Sequence, residues 1–150
     1  MTTPDLSAYV SVIETRMHSH YRDDVVSIGD ITELFGMAGG KLTYMLDGDA
    51  GLMRHFEQLE FLAPVYDGDY VRVTVRLLAV GRTSRKRSYE AHVVARTVGV
   101  GPRPTSGEVL KEPLLVARAI GITVTPLDCQ RITPPHLKGT ATAGDRKSVV

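Results

Sequence analysis

Residues 47–90 read DGDAGLMRHFEQLEFLAPVYDGDYVRVTVRLLAVGRTSRKRSYE. Two patterned strands are legible there, separated by a proline corner and followed by a tight turn. From Glu57 to Val65, apolar Leu59, Phe61, Ala63 and Val65 recur at every second position opposite Gln58, Glu60 and Leu62, the period of a half-buried strand. Pro64 cannot donate to a ladder and places the end of this strand near a sheet edge. Asp67-Gly68-Asp69 carries turn chemistry, after which Val71, Val73, Val75 and Leu77 resume the alternation over residues 70–80. The spacing predicts a hairpin between these two strands. Gly81-Arg82-Thr83-Ser84 then turns the chain again.

Upstream, residues 1–8 are polar and expected to be loose. Residues 9–17 alternate Tyr9, Ser11, Ile13, Thr15 and Met17 against Val10, Val12, Glu14 and Arg16, which predicts a first strand. A polar loop, His18 to Asp24, leads into residues 25–45, where Ile28, Ile31, Leu34, Phe35, Ala38, Leu42 and Met45 fall at near-helical spacing. Ser27 and Asp30 are the candidate caps. Gly36, Gly39 and Gly40 lower helix propensity but, with the small Ala38, let another backbone or a ligand come close. Downstream, residues 84–97 predict a long strand, 98–107 a Gly- and Pro-containing loop, and 110–125 a further strand stopped by Pro126. From residue 134 onward the chain, ending in HLKGTATAGDRKSVV, reads as a polar, disordered tail. One domain over residues 9–133 is therefore expected. Its element order is that of an α+β hot-dog arrangement, a long central helix wrapped by an antiparallel β-sheet.

A chain of 150 residues suits one domain with a sizeable core. A formal net charge of +1, with 43% hydrophobic and 23% charged residues, gives no bulk attraction to nucleic acid or to an anionic membrane. The one cysteine, Cys129, cannot form an internal disulfide and has no ligand-spaced neighbours suggesting zinc, so a cytoplasmic setting is expected. The opening MTTPDLSAYV lacks a basic region followed by an apolar core, and no apolar run approaches a membrane span. Neither secretion nor insertion is expected. Nucleotide fingerprints, the Gly-x-Ser-x-Gly elbow and the His-Glu-x-x-His motif are absent, so no metal or separate cofactor is expected.

The segments His20-Tyr21, Asp47-Gly48-Asp49, Glu60-Phe61-Leu62-Ala63-Pro64-Val65-Tyr66, Gly68-Asp69, Gly81-Arg82-Thr83-Ser84 and Glu112-Pro113 with Arg118 resemble the hot-dog CoA-thioester ammonia-lyases that act on 3-aminobutyryl-CoA and β-alanyl-CoA. The likeness spans roughly residues 13–126 and is most specific in the block from Glu60 to Tyr66. It implies an acyl-CoA substrate, with coenzyme A present as part of that substrate. It also implies a homodimer, possible further assembly into a trimer of dimers, and sites at the dimer interface. Two departures stand out. Asp24 occupies a position where the family has Asn, and Met37 and Lys41 replace an acidic pair in the helix. A homologous partner subunit supplying acids is one implication of that replacement.

Ammonia elimination from a β-aminoacyl thioester needs a base for the α-proton, donors for the developing enolate oxygen, and an acid for the leaving amine. Asp24 is the candidate base, its pKa open to elevation if it packs against Phe35 or Met37. Glu60 is the candidate amine ligand or acid. His20 and Tyr21 are candidates for orienting the thioester, together with amides at the helix start. Arg82, Thr83, Ser84 and Arg85 are the candidate contacts to the CoA phosphates, in a run that continues through Lys86 and Arg87. A solvated basic rim is the plain alternative. If Lys41 faces the cleft, it opposes a protonated β-amine; if it lies on an exposed helical face, it does not. Ammonia-lyase, acyl-CoA thioesterase and non-catalytic thioester binder are the three functions these residues allow.

Overall fold

The alternation in the middle of the chain decides the centre of the sheet. In the computed structural model, which describes residues 4–99 and 102–138, the elements are β1 (Val10–Arg16), α1 (Ile28–Asp47), β2 (Leu52–Phe61), β3 (Tyr70–Val80), β4 (Ser84–Thr97) and β5 (Gly107–Val124). Short 3-10 turns follow at Leu127–Cys129 and Pro135–Leu137. The strands form one five-stranded antiparallel sheet in the order β1-β3-β4-β5-β2. Alternate residues of β3, β4 and β5, including Val71, Val73, Val75, Tyr89, Ala91, Val93, Ala117 and Ala119, bury one face. Against them α1 lays Ile31, Leu34, Phe35, Ala38, Leu42 and Leu46, a stripe at helical period. Each large apolar side chain so buried contributes about 1.5–3 kcal/mol. Phe35, Phe56 and Tyr89 meet at the centre with ring centroids 5.3–6.5 Å apart. Gly39 is the point of closest approach, because a Cβ there would stand 2.7 Å from Arg87 Nη2.

The hairpin expected between residues 57–65 and 70–80 does not form. β2 pairs with β5, from Leu52 opposite Val124 to Phe61 opposite Ala117, and residues 62–69 carry the chain across to β3. Alternation specifies which face a strand buries and says nothing about its neighbour. β2 also begins earlier than its periodicity shows, since register shifts at Met53/His55 and Phe56/Gln58 break the period of two. The hairpins that do form are β3–β4, closed by Gly81 N–H donating to the Ser84 carbonyl at 2.9 Å, and β4–β5.

The helix starts later than its apolar pattern. Val25 bridges to Tyr66 and Val26 N–H donates to the Val65 carbonyl at 2.8 Å, so both remain extended. Ser27 caps α1, its Oγ accepting from Gly29 N–H at 2.9 Å. The helix ends at Gly48 with φ of 71°, a left-handed stop. Just inside that stop, the Asp47 carboxylate is fully buried and takes a two-pronged ion pair from Arg85, Nε to Oδ2 at 2.9 Å and Nη2 to Oδ1 at 3.0 Å. The Thr133 hydroxyl also donates to Asp47 Oδ1, and Arg131 and Ile132 N–H donate to the Asp47 carbonyl.

That network and Leu137, which is 3% exposed and part of the core, carry the packed unit past residue 133, where the sequence placed the start of the tail. Residues 139–150 of the expected tail lie outside the described residues, as do residues 1–3; Leu6 packs against the core. The two sheet edges differ. At β1, Lys41 Nζ donates to the Val12 carbonyl at 3.1 Å. β2 is exposed along nearly its whole length, with Leu52, Met53, Leu59 and Phe61 open to solvent. No helix among the described residues is long and apolar enough to cross a membrane.

Candidate active site

Residues 62–69, the crossing between β2 and β3, are clamped to the loop that leads into α1. Asp67 Oδ1 accepts from Ser19 N–H at 2.8 Å, Asp67 N–H donates to the Asp24 carbonyl at 2.7 Å, and Ser19 Oγ donates to the Val25 carbonyl at 2.9 Å. Asp69 anchors the other side. Its buried carboxylate takes Arg96 Nε at 2.9 Å, Arg96 Nη2 at 2.8 Å and Tyr66 N–H at 2.8 Å, and Arg96 lies over the Tyr66 ring. This hydrogen bond to Asp69 is the main reason the Arg96 guanidinium holds its proton above its ordinary value. The Gly-Asp turn thus fixes where the block from Phe61 to Val65 lies.

What that block lines is an apolar groove of about 320 Å³ at the start of α1, walled by Val25, Val26, Ile28 and Ile31 on one side and by Phe61–Val65, Val116 and Ala117 on the other. Leu62 N–H donates to the Val116 carbonyl at 2.8 Å and holds the second wall to β5. Ile28, Phe61 and Leu62 remain largely exposed, so the groove opens to solvent. A second groove, of about 430 Å³, lies on the β1 side of the helix and is lined by Ile13–Met17, His18, His20, Asp30, Glu33, Leu34 and Met37. The two flank the first turns of α1. Together they offer an apolar bed, a helix N-terminus with its partial positive charge, and a polar end with carboxylates and imidazoles.

The sequence-predicted residues divide accordingly. His20 lines the second groove, its ring 6.4 Å from that of His18. Asp24 and Tyr21 sit on the exposed loop before α1, where Asp23, at φ of 52°, turns the chain so that Val25 N–H reaches the Arg22 carbonyl. Asp24 is exposed, whereas Phe35 is wholly buried. Glu60 lines neither groove. It pairs with Arg118 at 3.0 Å, in a cross-strand row that continues through Glu90.

The basic turn is corrected by the structure. Arg85 is fully buried, with Asp47 and the carbonyls of Gly81 and Ser84 around its guanidinium, and Thr83 is equally buried, so neither reaches a ligand phosphate. Arg87 is also inside, donating to Tyr89 Oη at 2.9 Å, the Gly39 carbonyl at 3.1 Å and Thr43 Oγ1 at 2.7 Å. Burial pulls the Arg87 pKa down and pushes the Tyr89 phenol up. The period of two explains it: Arg85 and Arg87 share the face of Tyr89, Ala91 and Val93, while Lys86 faces out and pairs with Glu57 at 3.3 Å. Arg82 and Ser84 are half-buried at the turn. Lys41, on the exposed helical face, is held on Val12.

Asp30 and Glu33 are the groove residues that sequence reasoning passed over. With Met37 and Lys41 they form one stripe at spacings of three and four, and that stripe was the available signal.

No family model matches the chain. The 3-aminobutyryl-CoA ammonia lyase of Acetoanaerobium sticklandii is 38% identical over 126 residues, covering 81% of this chain and 98% of that protein. Among solved structures, β-alanyl-CoA:ammonia lyase from Clostridium propionicum superposes with a TM-score of 0.78 at 28% identity, over 89% of this chain and 96% of that one. The hexameric thioesterase of Yersinia pestis, at 15% identity and a TM-score of 0.62 over 81% of this chain and 90% of that one, shares the fold.

Proposed function

This chain belongs to the hot-dog CoA-thioester ammonia-lyases, and from that premise we propose that it adds ammonia to, or eliminates it from, the β-carbon of a short acyl-CoA thioester. The observation that carries the reading is the 38% identity across nearly the whole of a 3-aminobutyryl-CoA ammonia lyase. The block from Phe61 to Val65, where the likeness is most specific, lines the groove at the helix start. In the elimination direction the α-proton leaves to a base, its electron pair forms the Cα–Cβ double bond, and the C–N pair departs with the amine. An apolar groove supports this by offering hydrocarbon walls to the acyl group. The start of α1 faces charge developing on the thioester oxygen.

In our reading Asp24 is the base, with Tyr21 and His20 as neighbours that orient the thioester. Arg82 and Ser84 remain the candidates of the basic turn for CoA phosphates. The open, apolar β2 edge supports pairing of two copies through that strand, a homodimer in which each groove is completed by the other copy. A trimer of such dimers is the larger assembly we propose. A cytoplasmic setting is in keeping with the single free thiol.

The test is incubation of the purified protein with crotonyl-CoA and ammonium, following enoyl absorbance and free thiol together. Loss of absorbance without thiol release, abolished in Asp24→Asn, is the expected result. Release of thiol instead makes the protein a thioesterase, and saturable binding with neither product makes it a binder.

A further inference from the structure

We infer that the groove between β1 and α1 is a binding site for a primary ammonium group, with Asp30 and Glu33 as its anionic partners and the free edge of β1 as its neutral one. The inference rests on the lyase reading, which requires an amine to be held. It goes beyond that reading in naming where. Three features of the groove converge on the chemistry.

The first is an unmet acceptor. Asp30 lines the groove and its Oδ2 is buried without a hydrogen bond. Leaving a buried charged acceptor unsatisfied is costly, and an entering N–H donor relieves that cost. Glu33 lies one turn further along the same face, and Met37 one turn beyond it supplies an apolar wall. The second is the charge around it. Among the lining residues the one permanent cation is Arg16, whose Nη1 lies against the His18 ring at 3.2 Å. Lys41, the residue the sequence suspected of repelling an amine, has its ammonium on Val12 instead.

The third is that bond itself. β1 pairs on one side only, with β3, so its residues alternate between facing β3 and facing the groove side. The Val12 carbonyl faces the free side and holds the Lys41 ammonium at 3.1 Å. Glu14 shares its parity, so its carbonyl points the same way, about 7 Å further along the edge and at the groove that Glu14 lines. The protein thus already binds one primary ammonium on this edge. Two carboxylates and a second carbonyl wait beside it. No trio of His, Cys, Asp or Glu side chains placed to hold a metal ion occurs among the described residues.

Two measurements test the assignment. In ammonia addition to crotonyl-CoA, Asp30→Asn with Glu33→Gln is expected to raise the KM for ammonium at least tenfold while the KM for crotonyl-CoA stays within about twofold, which also reports an intact fold. Independently of turnover, methylammonium titrated into the wild-type protein should shift the His18 and His20 imidazole NMR signals saturably. Sodium at equal ionic strength should not, and the double variant should not respond. Turnover with an unchanged ammonium KM overturns the inference and leaves the lyase reading standing. Saturable methylammonium binding in a protein that adds no ammonia keeps the site and removes the lyase. Absence of saturable shifts in the wild-type protein overturns the site whatever the turnover.

Discussion

The two ends of α1 use polar groups in opposite ways. At the C-terminal end, Asp47 is closed in by Arg85, Thr133 and the amides of residues 131 and 132, and Arg131 reaches the Gly48 carbonyl at 2.8 Å. At the N-terminal end, Ile28 is exposed, an apolar groove opens on one side, and Asp30 Oδ2 lacks a partner on the other. One end spends its charges on holding the helix in place. The other leaves apolar surface and acceptors unfilled, which is what a ligand site requires. The contrast teaches that in this chain the partners a carboxylate already has, rather than its charge, separate structure from chemistry.

Breaking the closed end should produce the largest effect. Arg85→Ala leaves the Asp47 carboxylate buried and unpaired, and is expected to cost about 3–5 kcal/mol of folding stability. Replacing both partners, as Arg85→Met with Asp47→Leu, should return most of that loss in chemical denaturation, because neither charge is then stranded. A double variant no more stable than Arg85→Ala would show that the pair does more than neutralise itself. At the open end the expectation reverses. Phe61 is 39% exposed, so Phe61→Ala should change stability little while lowering kcat/KM for the thioester by roughly 10–100-fold, the worth of about 1.5–3 kcal/mol of apolar contact. A large drop in the unfolding midpoint with unchanged catalysis would erase the distinction between the ends. The smallest effect belongs to the cap. Ser27→Ala should cost about 1 kcal/mol, measured by denaturant midpoint, since it removes a single acceptor for Gly29.

How much of this is legible in the sequence depends on what each signal encodes. Val71, Val73 and Val75 announced a strand and its buried face because both follow from period two alone. The partner of β2 did not follow, because Phe61 opposite Ala117 is a contact between distant parts of the chain. The hot-dog arrangement was legible in the order of elements, yet the hairpin inside it was misassigned. Charge and turn proximity put Arg85 among the candidate phosphate contacts, in a basic run that continues to Arg87. Counting back from Tyr89 in steps of two would have put both inside. For Glu60, the same parity correctly opposed it to Phe61, but separation from Asp24 and His20 is a matter of three dimensions. Asp30 escaped notice because it was weighed as a helix cap, a role that Ser27 fills.

The bond from Lys41 to Val12 has a consequence for how many copies of this sheet can join. A sheet with two open edges behaves like a bifunctional monomer and can propagate into a fibre. Here one edge carries a lysine charge and a neighbouring helix face, and the other is bare. In the pairing through β2 proposed above, such a unit would be monofunctional: joining uses up the open edge of both partners, and sheet growth terminates at the first coupling.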